Sequence, residues 1–308
     1  MLLNESMAGH TSWRVGGPAD RYYQPADVED LACLIHSLEK NEAVFWLGLG
    51  SNLLVRDGGI RGTVISTSGC LTGLTLQQDN RVRAEVGVAC PKLARTTAKA
   101  DLTGLEFLSG IPGTLGGALA MNAGCLGSET WDLVESVEVI NSEGQFLQRQ
   151  RDEYLATYRS VKLSRSVKLN RSAKLKHDRE DKEWFIAATF KLGVGQSEKS
   201  LAVIKQHLAR RSATQPTQLP NAGSVFRNPE NDYAARLIEQ CGLKNSCVGG
   251  ACVSEKHANF IINTGTATAS DIELLINKVA DTVKLETGVE LQREVHFVGD
   301  PIKTEVGQ

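Results

Sequence analysis

The sequence predicts an α+β protein whose strands and helices are mixed along the chain. Apolar residues alternate with polar ones over 82–88, which is typical of a strand with one buried face. Apolar residues recur at helical spacing over 27–40 and 270–287, which indicates amphipathic helices packed on a core. Both patterns within one chain favour helices packed against sheets.

The length of 308 residues exceeds that of one average domain. The character of the sequence changes after residue 195, where a long amphipathic pattern precedes a proline-containing loop. We therefore expect a first domain over 1–195, in lobes of about 1–68 and 69–195, and a second domain over 196–308.

The first domain has clear local signals for its elements. Asp27 is the expected N-cap of the first helix, with Asp30 three residues on, and Pro91 suits the first turn of a helix over 91–100. Strands are predicted, in order, over 44–47, 62–66, 82–88, 133–140 and 184–192.

In the second domain a helix is predicted over 198–211, followed by an irregular loop over 215–220 with two prolines. Ser270 and Glu273 have capping-box spacing at the start of the last helix, and Gly288 follows its end. A strand is expected over 289–298.

The composition bounds the function. Hydrophobic residues make up 41% and charged residues 23% of the chain, and the formal net charge is −2. The overall composition and net charge therefore favour neither a nucleic-acid partner nor a membrane partner. The N-terminus has no basic region followed by a long apolar one, so we expect a cytoplasmic protein.

Seven cysteines at scattered spacings indicate reduced thiols rather than a disulfide framework. The gaps between Cys241, Cys247 and Cys252 do not match zinc-site spacings, and we expect no metal.

Residues 111–124 form a stretch that is rich in glycine and free of charge. Gly113, Gly116, Gly117 and Gly124 allow close approach to the main chain, and Thr114 and Asn122 add short polar groups. Such a stretch suits a pyrophosphate, although it also suits a sharp turn between buried elements.

A second loop favours the phosphate interpretation. Gly48, Gly50, Ser51 and Asn52 follow an apolar strand, as a phosphate-binding loop would. The third glycine of a Rossmann fingerprint and the lysine of a Walker loop are both missing. Two such loops about 60 residues apart predict a dinucleotide held from two sides by backbone N–H groups.

Four motifs in order resemble one family. They are 48–55 (GLGSNLLV), 111–117 (IPGTLGG), 121–124 (MNAG) and 221–229 (NAGSVFRNP). From about residue 10 to about residue 298 the chain resembles the UDP-N-acetylenolpyruvoylglucosamine reductase (MurB) family.

The resemblance implies a two-lobed FAD-binding domain of the vanillyl-alcohol-oxidase (PCMH) type and an α+β substrate-binding domain. It further implies non-covalent FAD, NADPH as reductant and UDP-N-acetylglucosamine enolpyruvate as substrate, in peptidoglycan synthesis. The chain lacks a long insertion carrying a tyrosine lid, so we expect the shorter form of the family. The implied cofactor contacts are Gly48, Gly50, Ser51, Asn52, Leu53, Ile111, Pro112, Gly113, Thr114, Gly116, Gly117, Ala118, Asn122, Ala123 and Gly124.

The same resemblance implies three catalytic residues. Arg159 would hold the substrate carboxylate in a bidentate fork, and Ser224 would donate a proton to the carbanion-like carbon. Glu294 would polarise the carboxylate end. Arg165 and Arg171 stand in similar local settings, but Arg159 alone follows a tyrosine. Implied substrate contacts are Gln215, Asn221, Gly223, Arg227 and Asn228.

Taken singly, these residue types also fit surface or turn positions.

The segment from Arg159 to Lys176 departs from its surroundings because it contains three tandem copies of a six-residue unit. Nine Lys or Arg and four Asp or Glu between 159 and 183 give a local charge of +5. No aromatic residue interleaves these charges, which favours a solvated insertion over 160–183 rather than a nucleic-acid site.

Two rival functions remain open on the sequence alone. One is another FAD-dependent oxidoreductase of the same fold acting on a hydroxy acid or a sugar. The other is a non-catalytic nucleotide-binding or anion-binding module that uses the basic repeat.

Overall fold

The computed structural model describes residues 1–39, 41–164 and 182–302. Helices and mainly antiparallel strands are mixed along the chain, which confirms the α+β class. The chain forms two compact units. The terminal unit comprises Met1–Tyr23, Leu49–Val64 and Arg210–Gln308, and the central unit comprises Gln24–Gly48 and Ile65–Ala209. The terminal unit thus includes two segments that the sequence placed in the first lobe.

Six α-helices are described. They are α1 (Val28–Ser37), α2 (Cys90–Lys99), α3 (Leu115–Met121), α4 (Ser197–Thr214), α5 (Ala234–Gln240) and α6 (Ala269–Thr287).

Twenty strands are described. They are β1 (Leu2–Ser6), β2 (Pro18–Tyr23), β3 (Val44–Leu47), β4 (Leu53–Val55), β5 (Ile60–Ser66), β6 (Leu74–Gln77), β7 (Arg81–Glu85), β8 (Leu102–Thr103), β9 (Gly124–Cys125), β10 (Ser128–Glu129), β11 (Val134–Asn141), β12 (Phe146–Gln150), β13 (Tyr154–Thr157), β14 (Ser160–Leu163), β15 (Glu183–Lys191), β16 (Gly193–Val194), β17 (Cys247–Val248), β18 (Ala251–Val253), β19 (Ile261–Asn263) and β20 (His296–Val298).

The central unit contains a five-stranded antiparallel sheet in the order β12-β11-β15-β7-β6. Its two longest strands, β11 and β15, lie side by side, and their inward residues are buried. Val137, Val139 and Ala187 are at most 1% exposed. Ala187 and Ala188 are adjacent in β15 and both are fully buried, so the middle of this strand is covered on both faces of the sheet.

The first copy of the basic repeat lies in the hairpin β13–β14, where Thr157 pairs with Ser160 and Arg159 occupies the turn. The other two copies, with Arg165 and Arg171, lie in residues 165–181, outside the described part of the chain.

The core of the terminal unit is built around α6 and the three-stranded sheet β17-β18-β19. Ile272, Leu275, Ile276, Val279 and Val283 of α6 are at most 1% exposed, as the helical spacing predicted. Trp13 belongs to the same core although it comes from the N-terminal segment. Contacts between residues that are distant in sequence therefore stabilise this unit.

The predicted capping box at α6 is wrong by two residues. Thr268 is the N-cap, and Asp271 is its partner at the third helical position. Ser270 instead donates to the Asp57 carboxylate at 2.6 Å, and Glu273 pairs with Arg56 at 2.8 Å. Both residues of the predicted capping box thus bond to partners more than 200 positions away in sequence.

The last strand is shorter than predicted, since β20 begins at His296 rather than at residue 289. Residues 292–294 pair instead with the segment 225–227 through an isolated bridge between Phe226 and Arg293. The alternating pattern of 289–298 does not distinguish this local pairing from a continuous strand.

The expectation that all cysteines are reduced is also wrong. Cys247 and Cys252 form a disulfide, because the tight turn between β17 and β18 places them directly opposite each other. Cys33, Cys70, Cys90, Cys125 and Cys241 are not part of a disulfide.

We expect thiol labelling of the denatured, unreduced protein to modify five cysteines, and labelling after reduction to modify seven. Intact mass measurement after alkylation reports both numbers. The Cys247→Ser/Cys252→Ser variant serves as control, because it should give five in either condition. Seven labelled thiols without reduction would contradict the disulfide.

Candidate active site

In the central unit, Gly48 at the start of the first predicted phosphate loop lies against Thr114 of the second. A Cβ atom on Gly48 would lie 2.5 Å from Oγ1 of Thr114, so the glycine is required for this close approach. Thr114 is 2% exposed, and its hydroxyl has no hydrogen-bond partner among the described residues. A buried hydroxyl without a partner is costly, which favours a ligand acceptor at this point.

The backbone of the second loop is less available to phosphates than the sequence suggested. The N–H groups of Leu115 and Gly116 donate to the carbonyls of Val88 and Val86, each at 2.8 Å. The N–H of Gly113 donates to Ile111 O at 2.9 Å, and that of Ala118 donates to Thr114 O at 3.0 Å. These donors hold the loop in shape.

The end of the loop, from Asn122 to Gly124, is tied to its surroundings by hydrogen bonds. Nδ2 of Asn122 donates to Glu129 at 2.6 Å, and its Oδ1 accepts from Trp131 N at 3.1 Å. Ala123 N donates to Ala118 O at 2.8 Å. These contacts explain why the sequence needs a small polar residue at position 122, whose φ of 43° is left-handed.

Arg159 lies at this same end of the loop. Both terminal nitrogens of its guanidinium lie 3.4 Å from the carbonyl oxygen of Gly124, and the group stacks over the ring of Tyr158 at 5.1 Å. The central unit therefore brings one predicted catalytic residue to the predicted cofactor loop.

The first loop continues in the terminal unit. Gly50 has a φ of +60°, and its carbonyl accepts from Ser12 N at 3.2 Å. Ser51 and Asn52 follow in the turn, and Leu53 begins β4, which runs parallel to β20 with Leu53 opposite His296.

The turn containing Asn52 brings this loop to Glu294. Nδ2 of Asn52 donates to the Glu294 carbonyl at 3.3 Å, and Asn52 O accepts from His296 N at 3.0 Å. The Glu294 N–H donates in turn to Val225 O at 2.8 Å, one residue after Ser224. Three predicted site segments, 50–53, 221–228 and 292–296, thus meet within one unit.

Asn259 fixes the loop of Ser224 and was missed by the sequence interpretation. Its side chain accepts from Phe226 N at 3.0 Å and donates to Phe226 O at 2.8 Å, while its carbonyl accepts from Val225 N at 2.9 Å. The residue is 3% exposed. A polar residue between the apolar Ala258 and Phe260 was the available signal.

Several predicted substrate contacts have partners within the chain. Asn221 folds its own loop by donating to Pro216 O and Leu219 O and accepting from Gly223 N. Oε1 of Gln215 accepts from Arg211 Nε at 3.1 Å. Oδ1 of Asn228 accepts from Ala234 N at 3.2 Å, at the start of α5.

Glu294 contributes to the electrostatic environment of His296, which lies two residues further along the chain. Burial lowers the pKa of His296 below its ordinary value, and the positive charge of Arg227 lowers it further. Glu294 acts on the same pKa in the opposite direction. Arg227, Glu294 and His296 therefore form one electrostatic cluster in the terminal unit.

Among residues 1–39, 41–164 and 182–302, no cluster of three or more His, Cys, Asp or Glu side chains is arranged to hold a metal ion. No helix there combines the length and the apolar character that crossing a bilayer requires.

Replacing Thr114 with Val should weaken FAD binding by about 10-fold, because a hydrogen bond of about 1.4 kcal/mol would be lost. The cofactor-free protein should not lose stability, since Val removes a buried hydroxyl that has no partner. Fluorescence titration with FAD and thermal unfolding of the apoprotein measure the two effects.

Thr97→Val is the matched control. The hydroxyl of Thr97 is buried as well, but it donates to Leu93 O and Ala94 O at 3.1 Å, so this variant should lose stability and keep its FAD affinity. A Thr114→Val protein that binds FAD as tightly as the wild type would contradict the assignment.

Fold and site together define a flavin-dependent oxidoreductase, and comparison with known proteins specifies the family. Residues 19–148 match the family model described as FAD binding domain. Residues 215–298 match the model for the C-terminal domain of UDP-N-acetylenolpyruvoylglucosamine reductase.

Whole-chain relatives carry the same name. The UDP-N-acetylenolpyruvoylglucosamine reductase of Legionella pneumophila (strain Corby) is 53% identical over 97% of this chain and 92% of its own length. That of Methylococcus capsulatus is 52% identical over 97% and 93%. The crystal structure of the reductase (MurB) from Thermus caldophilus matches with a TM-score of 0.78 and 31% identity, covering 96% of this chain and 97% of its own. The chain belongs to the UDP-N-acetylenolpyruvoylglucosamine reductase family.

Proposed function

We propose that the protein reduces the enolpyruvyl group of UDP-N-acetylglucosamine enolpyruvate to give UDP-N-acetylmuramate, with NADPH as the electron donor. The reaction would serve peptidoglycan synthesis in the cytoplasm. The observation that carries the proposal is the meeting of the Ser224 loop, Glu294 and the Asn52 turn within one unit. Membership of the family supports the substrate.

The residues fit a non-covalent FAD. Thr114 offers a buried hydroxyl without a partner, and Gly48 leaves the space beside it free of side-chain atoms. Gly50, Ser51 and Asn52 continue the first loop. When bound, FAD would accept two electrons from NADPH and pass them to the substrate double bond as hydride.

Ser224 would supply the proton that completes the reduction. Adding hydride to the enolpyruvyl double bond leaves negative charge on the carbon next to the carboxylate, and the hydroxyl of Ser224 would protonate that carbon. The loop is held by Asn259, so the hydroxyl would need little reorganisation. Solvent would then restore the proton of the serine.

Arg159 and Glu294 would act at the carboxylate end of the substrate. The planar guanidinium of Arg159 suits a carboxylate through two parallel hydrogen bonds, and its charge would stabilise the developing enolate. Glu294 would polarise the same end, and its backbone position is fixed by its N–H bond to Val225 O.

Substrate recognition would involve the segment around Ser224 in the shorter form of the family. Gly223 leaves open space beside its backbone, since an added Cβ would meet no atom within 4 Å. Arg227 would contact the diphosphate. The side-chain amides of Gln215, Asn221 and Asn228 still have donor or acceptor positions beyond the bonds described above.

Replacing Glu294 with Gln tests this arrangement. The amide keeps the shape of the side chain but removes the carboxyl group, so we expect the oxidation of reduced flavin by the substrate to slow by about 100-fold. Flavin reduction by NADPH should keep its rate. Stopped-flow absorbance separates the two half-reactions.

The control is Glu286→Gln, which makes the same change at an exposed position on α6. Both half-reactions should keep their rates in that variant. Normal reoxidation of the Glu294→Gln protein would show that Glu294 has no catalytic role.

A further inference from the structure

The disulfide between Cys247 and Cys252 lies at the outer edge of the sheet β17-β18-β19. Cys247 is an exposed residue of the edge strand β17, and Cys252 is half-buried in β18. A thiol in solution can therefore reach the bond from the side of Cys247. The proposed reduction of the sugar nucleotide does not use this disulfide.

An accessible disulfide is open to exchange with thiols, because exchange begins with the attack of a thiolate on one of its sulfur atoms. The proposed cytoplasmic location places the bond among reduced thiols. Disulfides in that compartment are in most cases formed and broken reversibly, as catalytic or redox-sensing groups, rather than kept as permanent cross-links.

A row of paired residues runs from the disulfide to the loop of Ser224. Cys247 lies opposite Cys252, and Cys252 lies opposite Ile262 on β19. Ile262 forms an isolated bridge with Asn221 on its other side. The side chain of Asn221 folds the turn that leads to Ser224. The disulfide and the proposed proton donor are thus connected through neighbouring strands of one unit.

A second connection runs along the chain from β18. After Val253 the chain enters the turn that carries Asn259, which bonds to Val225 N and to both backbone groups of Phe226. The Ser224 loop is therefore fixed on one side by the row of paired residues and on the other side by the turn that follows β18.

The disulfide supports a short edge of this sheet. β17 has only two residues. Next to it, Val253 N donates to Ser246 O at 2.9 Å, and Asn245 N donates to Val253 O at 3.1 Å. So short a hairpin is marginally stable without further support, and the cross-link supplies such support. Reduction would therefore let β17 separate from β18 more often.

The rest of the sheet does not depend on the disulfide. Gly250 O, in the turn between β17 and β18, accepts from Thr264 N at 3.0 Å and from Thr264 Oγ1 at 2.9 Å. The dithiol form should therefore stay folded, with a less rigid Ser224 loop. Exchange is then reversible, and the disulfide form has the better ordered proton donor.

We propose that Cys247 and Cys252 form a reversible thiol–disulfide exchange site that regulates the reaction at Ser224. The reductant is a dithiol, and one of its thiolates attacks Sγ of Cys247. The S–S bond breaks, and Cys252 leaves as a thiolate that takes up a proton. The second thiol of the dithiol then attacks the mixed disulfide, so that Cys247 is released as a thiol and the reductant becomes a disulfide. Two electrons pass to the protein in total.

The regulation rests on the proposed function, whereas the exchange itself does not. The test compares the FAD-loaded full chain before and after treatment with dithiothreitol, which is removed anaerobically before each measurement. Alkylation of the denatured samples should count five thiols before treatment and seven after it. Circular dichroism should not change, since the treated protein stays folded.

Stopped-flow absorbance then measures the reoxidation of the NADPH-reduced flavin by the sugar nucleotide. We expect this step to slow by about 3- to 10-fold in the dithiol form, because the hydroxyl of Ser224 is kept but is less well positioned. Amide hydrogen exchange over 220–226 should become faster in the same form. Treatment with glutathione disulfide should restore both values.

Two variants serve as references. Cys247→Ser/Cys252→Ser should behave like the dithiol form and respond to neither reagent. Cys241→Ser is the matched control, because it removes a half-buried thiol of the same unit that is not part of the disulfide. It should keep the wild-type rate and the wild-type response to dithiothreitol.

A disulfide that resists dithiothreitol in the folded protein would overturn the exchange site. Equal reoxidation rates in the two forms would overturn the regulation. Absence of turnover in the disulfide form would refute the proposed function. In that case amide exchange over 220–226 still tests the link between the disulfide and the loop, and equal exchange in both forms would refute it.

Discussion

Replacing Ser224 with Ala should slow the reduction of the enolpyruvyl substrate by about 10²- to 10⁴-fold, the range expected when a general acid is removed. The loop that carries Ser224 is fixed on both sides, by the Asn221 side chain before it and by Asn259 and Glu294 after it. The variant should therefore lose the hydroxyl without moving the backbone. Binding of the substrate should change little.

Anaerobic stopped-flow spectroscopy measures this effect directly. Reduction of the flavin by NADPH should proceed at the wild-type rate, and its reoxidation by the sugar nucleotide should be slow. Ser246→Ala is the control, because it makes the same change at a half-buried serine of the same unit. Reoxidation of the Ser224→Ala protein at the wild-type rate would exclude the serine as the proton donor.

Replacing Trp13 with Ala should lower the free energy of unfolding by about 3–5 kcal/mol. Trp13 is fully buried, its Nε1 donates to Ile261 O at 2.7 Å, and its carbonyl accepts from Asn263 Nδ2 at 2.9 Å. The side chain thus joins the N-terminal segment to β19. Removing the indole would leave a cavity and would take this hydrogen bond away from the Ile261 carbonyl.

Denaturant unfolding followed by circular dichroism gives the free energy. Trp13→Phe should cost less than Trp13→Ala, because it keeps most of the apolar contact and loses only the indole N–H. A Trp13→Ala protein with the wild-type unfolding midpoint would show that this tryptophan does not stabilise the unit.

Features encoded by neighbouring residues were predictable from the sequence. The apolar spacing of α6 and the cap at Asp27 of α1 are confirmed, because both depend on residues within a few positions of each other. The motifs around Gly48, Thr114 and Ser224 identified the family for the same reason.

Features that depend on distant residues were not predictable. Ser270 and Glu273 had the spacing of a capping box, but Thr268 caps the helix instead. Ser270 bonds to Asp57, and Glu273 pairs with Arg56. Periodicity contains no information about such partners. The disulfide was missed because it depends on the register of β17 and β18 rather than on a spacing motif.

In the candidate site, too, local motifs were predictable and contacts between distant residues were not. Sequence motifs named Thr114 as a cofactor contact, but only the structure shows that its hydroxyl lacks a partner and that the N–H groups of Leu115 and Gly116 are bonded to distant carbonyls. The role of Asn259 in fixing the Ser224 loop became visible only through its hydrogen bonds to Phe226, 33 positions away in sequence.

The proposed function requires that electrons pass from NADPH through FAD to UDP-N-acetylglucosamine enolpyruvate. The most direct measurement is anaerobic mixing of the NADPH-reduced, FAD-loaded protein with this sugar nucleotide, with product analysis of the quenched mixture. We expect the oxidised-flavin absorbance to return, with one UDP-N-acetylmuramate formed for each NADPH consumed. A protein that stays reduced, or reoxidises without forming this product, would contradict the proposed electron transfer to the sugar nucleotide.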